Sequence, residues 1–168
     1  MRVWISTLFA LCASPVLLFA TAALAVGWMS YANARFGYAI DIPPGFTGLE
    51  EAANSDGQVF RNAGGTQVLT VWGGQVIEDD FEAEVALSLP FIEDEGWNIT
   101  YRASTPRWVS FSGVDGDHVL YARAIALCGG AQYATFYLEY FVSDLTALKP
   151  VVNRLVSSFK EAPSGLNC

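Results

Sequence analysis

His118 is the single histidine of a 168-residue chain, and it follows Asp115-Gly116-Asp117, with Ser110 and Ser112 a few positions upstream. Serine, histidine and a carboxylate are the parts of an acyl-transfer triad, in which the imidazole takes the serine proton and the acid orients the imidazole. No G-x-S-x-G turn is present to lift a serine toward a substrate. His118 therefore reads as a solvated turn residue, and the chain is expected not to be an enzyme. A small envelope hydrolase using His118 with a nearby serine or acid is the competing reading.

Glu78, Asp79, Asp80, Glu82 and Glu84 form an acidic run that could in principle collect calcium. The D-x-[DN]-x-[DN]-G spacing that turns several oxygens onto one centre is missing. Neighbouring carboxylates on a helix diverge around its axis, so the run reads as a solvated helix start, where negative charge is favoured. Asp115-Gly116-Asp117 is likewise a turn before it is a metal site. With no G-x-G-x-x-G and no Walker loop either, neither a metal nor a cofactor is expected.

Residues 1–25 carry an address. Arg2 precedes an almost unbroken apolar run from Val3 to Leu24, and Ala23-Leu24-Ala25 is an A-x-A cleavage site. The run approaches the ~20 residues needed to span a bilayer, so an uncleaved anchor is the alternative. Pro15 and the small residues from Ala20 to Ala25 favour cleavage. Either way the domain of residues 26–168 is expected outside the cytoplasm, in a bacterial periplasm or beyond, touching membrane only through residues 1–25 if they remain.

Past residue 25, eight basic residues against seventeen acidic ones leave a net charge of −9. Such a domain repels phosphate backbones, so a nucleic-acid partner is not expected. Cys12 leaves with the signal, and the remaining two cysteines in an oxidising space read as one disulfide, Cys128–Cys168. Their spacing is wrong for a redox C-x-x-C pair, and a zinc ion would lack companions. Asn98-Ile99-Thr100 fits a glycosylation sequon, a match short enough to arise by chance.

The elements that position these residues follow from periodicity. Trp28–Tyr31 and Gly37–Ile42 read as a hairpin, with Tyr38, Ile40 and Ile42 on one face. Gly48 to Gly57 reads as a surface loop. Gln58–Arg61 and Thr66–Trp72 form the next hairpin, ended by Gly73-Gly74. Phe81, Val85, Leu89 and Ile92 recur at helical spacing, with Pro90 expected to kink this helix or start a second one. Asn98–Ser104, Trp108–Val114, His118–Leu127 and Gln132–Phe141 follow as strands. Ala122, Ala124 and Ala126 share one face, where small side chains let a helix approach. A last helix is expected from near Pro150, with Leu148, Val152, Leu155 and Phe159 as its buried stripe. The order implies one α+β domain: an antiparallel sheet of about six to eight strands with two helices packed on it.

Tyr31-x-Asn33-x-Arg35-Phe36-Gly37-Tyr38-x-x-Asp41-x-Pro43, with Phe46 soon after, resembles the opening of PsbP-like domains. Val152-x-x-Leu155-x-x-Ser158-Phe159 resembles their closing helix. The chain is also similar to small secreted proteobacterial proteins showing Asp56-Gly57-x-x-Phe60, Leu69 to Gly73 and Cys128-Gly129-Gly130. The resemblance implies an α/β/α sandwich. It also implies a binding role, because PsbP-like proteins and the Ran-binding nuclear import factor of the same fold bind other proteins.

The aromatic residues of both halves are expected to be mainly core. Those of the first hairpin, Tyr31, Phe36, Tyr38 and Phe46, are the candidate surface for a partner or ligand. An envelope protein is the expected partner.

Overall fold

The computed structural model describes residues 27–49, 51–162 and 168. The predicted signal segment 1–25 and the tail residues 163–167 lie outside the described residues.

Strands β1 (Met29–Asn33) and β2 (Tyr38–Ile42) pair antiparallel around a turn held by Asn33, whose Oδ1 accepts the Phe36 N–H at 2.9 Å. Tyr38, Ile40 and Ile42 are buried and Ala39 and Asp41 are wetter, as the period of two requires. Two elements were not foreseen. β3 (Phe46–Gly48) precedes the expected loop and ends at its first residue, and β10 (Lys160–Glu161) pairs with β2 after the last helix. Strands this short carry too few alternations to show in a sequence; their partners create them.

β4 (Gly57–Asn62) and β5 (Val68–Gln75) form the second hairpin. β5 does not stop at Gly73-Gly74 but runs through both. The two glycines serve close packing: Gly73 lies against Phe36, and Gly74 beneath the ring of Tyr133. Then come α1 (Phe81–Asp94) and the meander β6 (Asn98–Thr105), β7 (Trp108–Asp115), β8 (His118–Leu127) and β9 (Gln132–Phe141).

The seven-stranded antiparallel sheet has the order β3-β4-β5-β9-β8-β7-β6, and β1-β2-β10 is a separate small sheet. One face of the large sheet packs against β2 and α2 (Leu145–Ser158), burying Tyr38, Ile40, Ile42, Leu69, Val71, Phe136, Leu138, Leu155 and Phe159. The opposite face meets α1, where Phe81, Val85 and Ile92 press on Val109, Phe111, Leu120, Ala122 and Ala124. The alanine face of β8 thus does admit a helix.

Asp80 caps α1 by accepting the Ala83 N–H at 2.8 Å. Pro90 sits within one continuous helix rather than starting another, with its ring exposed. Similarly, α2 begins at Leu145, with Pro150 inside it. A proline there forgoes one helical hydrogen bond. Burial of Leu148 before it and of Leu155 after it requires the helical register on both sides. No helix among the described residues is long and apolar enough to cross a membrane.

Candidate functional site

The first-hairpin aromatics do not form a surface. Phe36, Tyr38 and Phe46 are 5, 0 and 5 % exposed. The Tyr38 hydroxyl donates to the Asp56 carbonyl at 3.0 Å, its ring meets Phe159 edge-on at 6.0 Å, and burial raises its pKa far above the ordinary phenol range. Tyr31 is half-buried, edge-on to Phe60 at 5.3 Å. The hairpin lies down on the large sheet and turns its aromatic side inward, which a period of two cannot reveal. The polar residues of the same motif tie it to α2: Ser158 Oγ accepts the Asp41 N–H at 3.0 Å, and Arg154 bonds the Asp41 carboxylate at 3.0 Å.

His118 does not meet its serines. Its Nδ1 lies 3.0 Å from Asp117 Oδ1, both side chains exposed, and its ring sits 4.5 Å from that of Phe141. Ser112 pairs with Tyr121 and Ser110 with Arg123. Tyr121 and Arg123 are three and five residues from His118 along β8, so both serines face the other side of the sheet, roughly 10 and 17 Å away at the usual rise. No proton can pass directly between them.

The acidic run has structural duties. Besides the Asp80 cap, Glu84 Oε2 accepts the N–H groups of Ile77 and Glu78 at 2.9 and 3.2 Å. The trio Cys128, Glu161 and Cys168 brings three potential metal ligands together, but its two sulfurs are joined as a disulfide with Cα atoms 5.2 Å apart. The turn that carries Cys128 has positive φ angles at three successive residues, +52° at Cys128 itself and +66° and +102° at Gly129 and Gly130.

The site that sequence reasoning missed lies beside α1. The helix packs over the β6–β8 half of its face and leaves β4 and β5 open. There Val59, Thr70 and Trp72 line a cavity of about 310 Å³, with Ala52 and Asp56 on its rim and Gly57 at its base. Gly57 is required: a Cβ there would stand 2.7 Å from that of Trp72. On the other side of Trp72, a smaller cavity of about 50 Å³ reaches under α1 between Glu84, Ser88, Tyr133 and Tyr137.

Trp72 meets Tyr137 edge-on at 4.7 Å and hydrogen-bonds Tyr133. Burial pushes the Tyr137 phenol up to about 12, against a hydrogen bond with Ser88, and burial with the nearby Glu84 charge raises Tyr133. Both phenols are neutral hydrogen-bonding groups at pH 7. The arrangement can bind; its lining offers no paired nucleophile and base. A signal existed, since Leu69 to Gly73 was singled out by pattern, but strand alternation alone does not say which face a helix leaves bare.

Three layers, helix and hairpin on one side of an antiparallel sheet and a helix on the other, define a PsbP-like fold. Cyanobacterial PsbP (CyanoP) from Synechocystis superposes with a TM-score of 0.64 at 15% identity, covering 86% of this chain and 98% of that one. The Ran-binding protein Mog1p of Saccharomyces cerevisiae gives 0.59 at 12% identity, covering 84% and 99%. LpqN of Mycobacterium tuberculosis, involved in cell envelope biogenesis, gives 0.56 at 11%, covering 81% and 91%. No protein-family profile matches the chain, and no curated protein sequence matches it.

Proposed function

We propose that this is an exported bacterial envelope protein that binds a protein partner and catalyses no reaction. The observation that carries the reading is the open cavity beside Trp72, roomy enough for a partner side chain and lined by groups that bind without reacting. Asp56 lines this cavity and Glu84 the smaller one on the other side of Trp72, with Glu78 and Asp79 just before α1 and Glu82 in its first turn. The partner is therefore a segment presenting a basic side chain, whose aliphatic stem would lie along Trp72. Mog1p, a Ran-binding protein of the same fold, supports protein binding, and LpqN supports an envelope setting.

A photo-reactive residue placed at Thr70 in living cells tests the site against the same residue at Thr66, on the distal turn. The expected result is one salt-sensitive adduct from Thr70 alone, lost on Trp72→Ala. Equal labelling from both positions, or none from Thr70, overturns it. Export carries its own test. Cleavage after Ala25 gives an intact mass starting at Val26 in the soluble envelope fraction, whereas full-length chain in the membrane fraction means an anchor.

A further inference from the structure

Arg123 occupies an unusual place on the face of the sheet opposite α1. Its guanidinium Cζ sits 4.4 Å over the Trp108 ring, and Nη1 donates to Ser110 Oγ at 3.0 Å. Nε is buried and has no hydrogen-bond partner among the described residues. The side chain as a whole is half-buried, and no ion pair among the described residues includes it. A guanidinium has five N–H donors; here, among the described residues, the side chains of Ser110 and Tyr121 are its hydrogen-bond partners, and Nε is left without one.

The surroundings suit an incoming anion. Ser110 is buried, and the Tyr121 hydroxyl reaches its Oγ at 3.5 Å. Tyr101, an exposed residue of edge strand β6, is on the same face through its pairing with Ser112, and Ser112 pairs in turn with Tyr121. Burial of the guanidinium lowers its pKa from the ordinary value, and the neighbouring Tyr121 and Tyr101 phenols oppose the shift.

We propose that Arg123, flanked by Trp108, Ser110, Tyr121 and Tyr101, is a binding site for a single carboxylate. A carboxylate matches the planar fork of a guanidinium and carries one charge to neutralise one charge. A phosphate dianion would leave its second charge uncompensated in a half-desolvated corner of an acidic protein. The site is on the opposite face from the Trp72 cavity and does not rest on the function proposed for that cavity.

The test follows the Arg123 Nε–Hε signal by proton–nitrogen correlation NMR on the oxidised protein. The probes are sodium acetate, a blocked Gly-Glu-Gly peptide and sodium phosphate, at matched ionic strength. Saturable shifts with acetate and with the peptide are expected, together with a shift of the Trp108 indole signal. Tighter binding of the peptide assigns the ligand to an acidic protein side chain, and tighter binding of acetate to a small free acid. Arg123→Lys keeps the charge without the fork and should weaken binding by at least about tenfold. Tyr101→Phe, at an exposed position, gives a second and milder variant whose fold is not in question. Absence of saturation with both carboxylates overturns the site, as does equal binding of phosphate or unchanged affinity in Arg123→Lys.

Discussion

Gly73 lies flat against the ring of Phe36, so close that a Cβ on Gly73 would stand 2.6 Å from Phe36 Cγ. The contact joins the first hairpin to the middle of the large sheet. Both residues are buried, and Phe36 has no open side toward which to swing.

Gly73→Ala should therefore destabilise the protein by about 1–3 kcal/mol, the usual cost of overpacking a filled core. Urea unfolding measures it. An unchanged midpoint would mean that Phe36 gives way freely and that the hairpin is not tightly docked.

Loss of the disulfide should cost roughly 2–4 kcal/mol, because the bond closes a chain loop between residues 40 apart. Cys128→Ser and Cys168→Ser should lose the same amount, and the double variant no more than either. Thermal melts with and without reductant read this directly. A wild-type melt indifferent to reductant contradicts it.

His118→Ala should change stability by less than about 1 kcal/mol, since the ring is exposed and its contacts are Asp117 and Phe141. It should also leave any partner adduct from Thr70 intact. A hydrolytic turnover abolished by this substitution would reinstate the enzymatic reading in spite of the distance to the serines.

Glu139 sets a pH dependence. Burial raises its carboxyl pKa above the ordinary 4.5, and the charges of His118 and Arg61 only partly oppose this. A carboxyl raised in the folded state binds protons more readily there than in the unfolded chain. Its stabilising contribution is full below the unfolded value and is lost as pH rises through the folded one. Glu139→Gln should therefore melt higher than wild type at pH 7, with the gap narrowing as the pH falls through the raised folded value toward 4.5 and closing below it. A constant gap across that range would show that the effect is not one of ionisation.

Much of the architecture was legible from local pattern. Alternation located β2, and the turn residues Thr105-Pro106-Arg107, Asp115-Gly116-Asp117 and Gly129-Gly130 bounded β6, β7, β8 and β9 nearly to their ends, because tight reversals demand particular residue types whatever the sheet around them. The stripe Phe81, Val85, Ile92 and the alanine row of β8 each announced half of one contact, and the structure joins them. Prolines misled: at Pro90 and Pro150 burial of the residues on either side outweighs the local preference to break the helix.

By itself the sequence determined the strand and helix periodicities, the acidic charge and the cysteine pair, all of them properties of neighbouring residues or of simple counts. Only the tertiary structure decided which aromatics are core. Tyr38 and Trp72 are equally aromatic and equally placed on alternating strands, yet one is sealed under α2 and the other borders an open cavity. Arg123 meets Trp108 and Ser110 only because β7 pairs with β8 in one register; a slip by one residue would turn the guanidinium to the opposite face. Register and layer order arise from contacts between distant segments, and no local pattern encodes them.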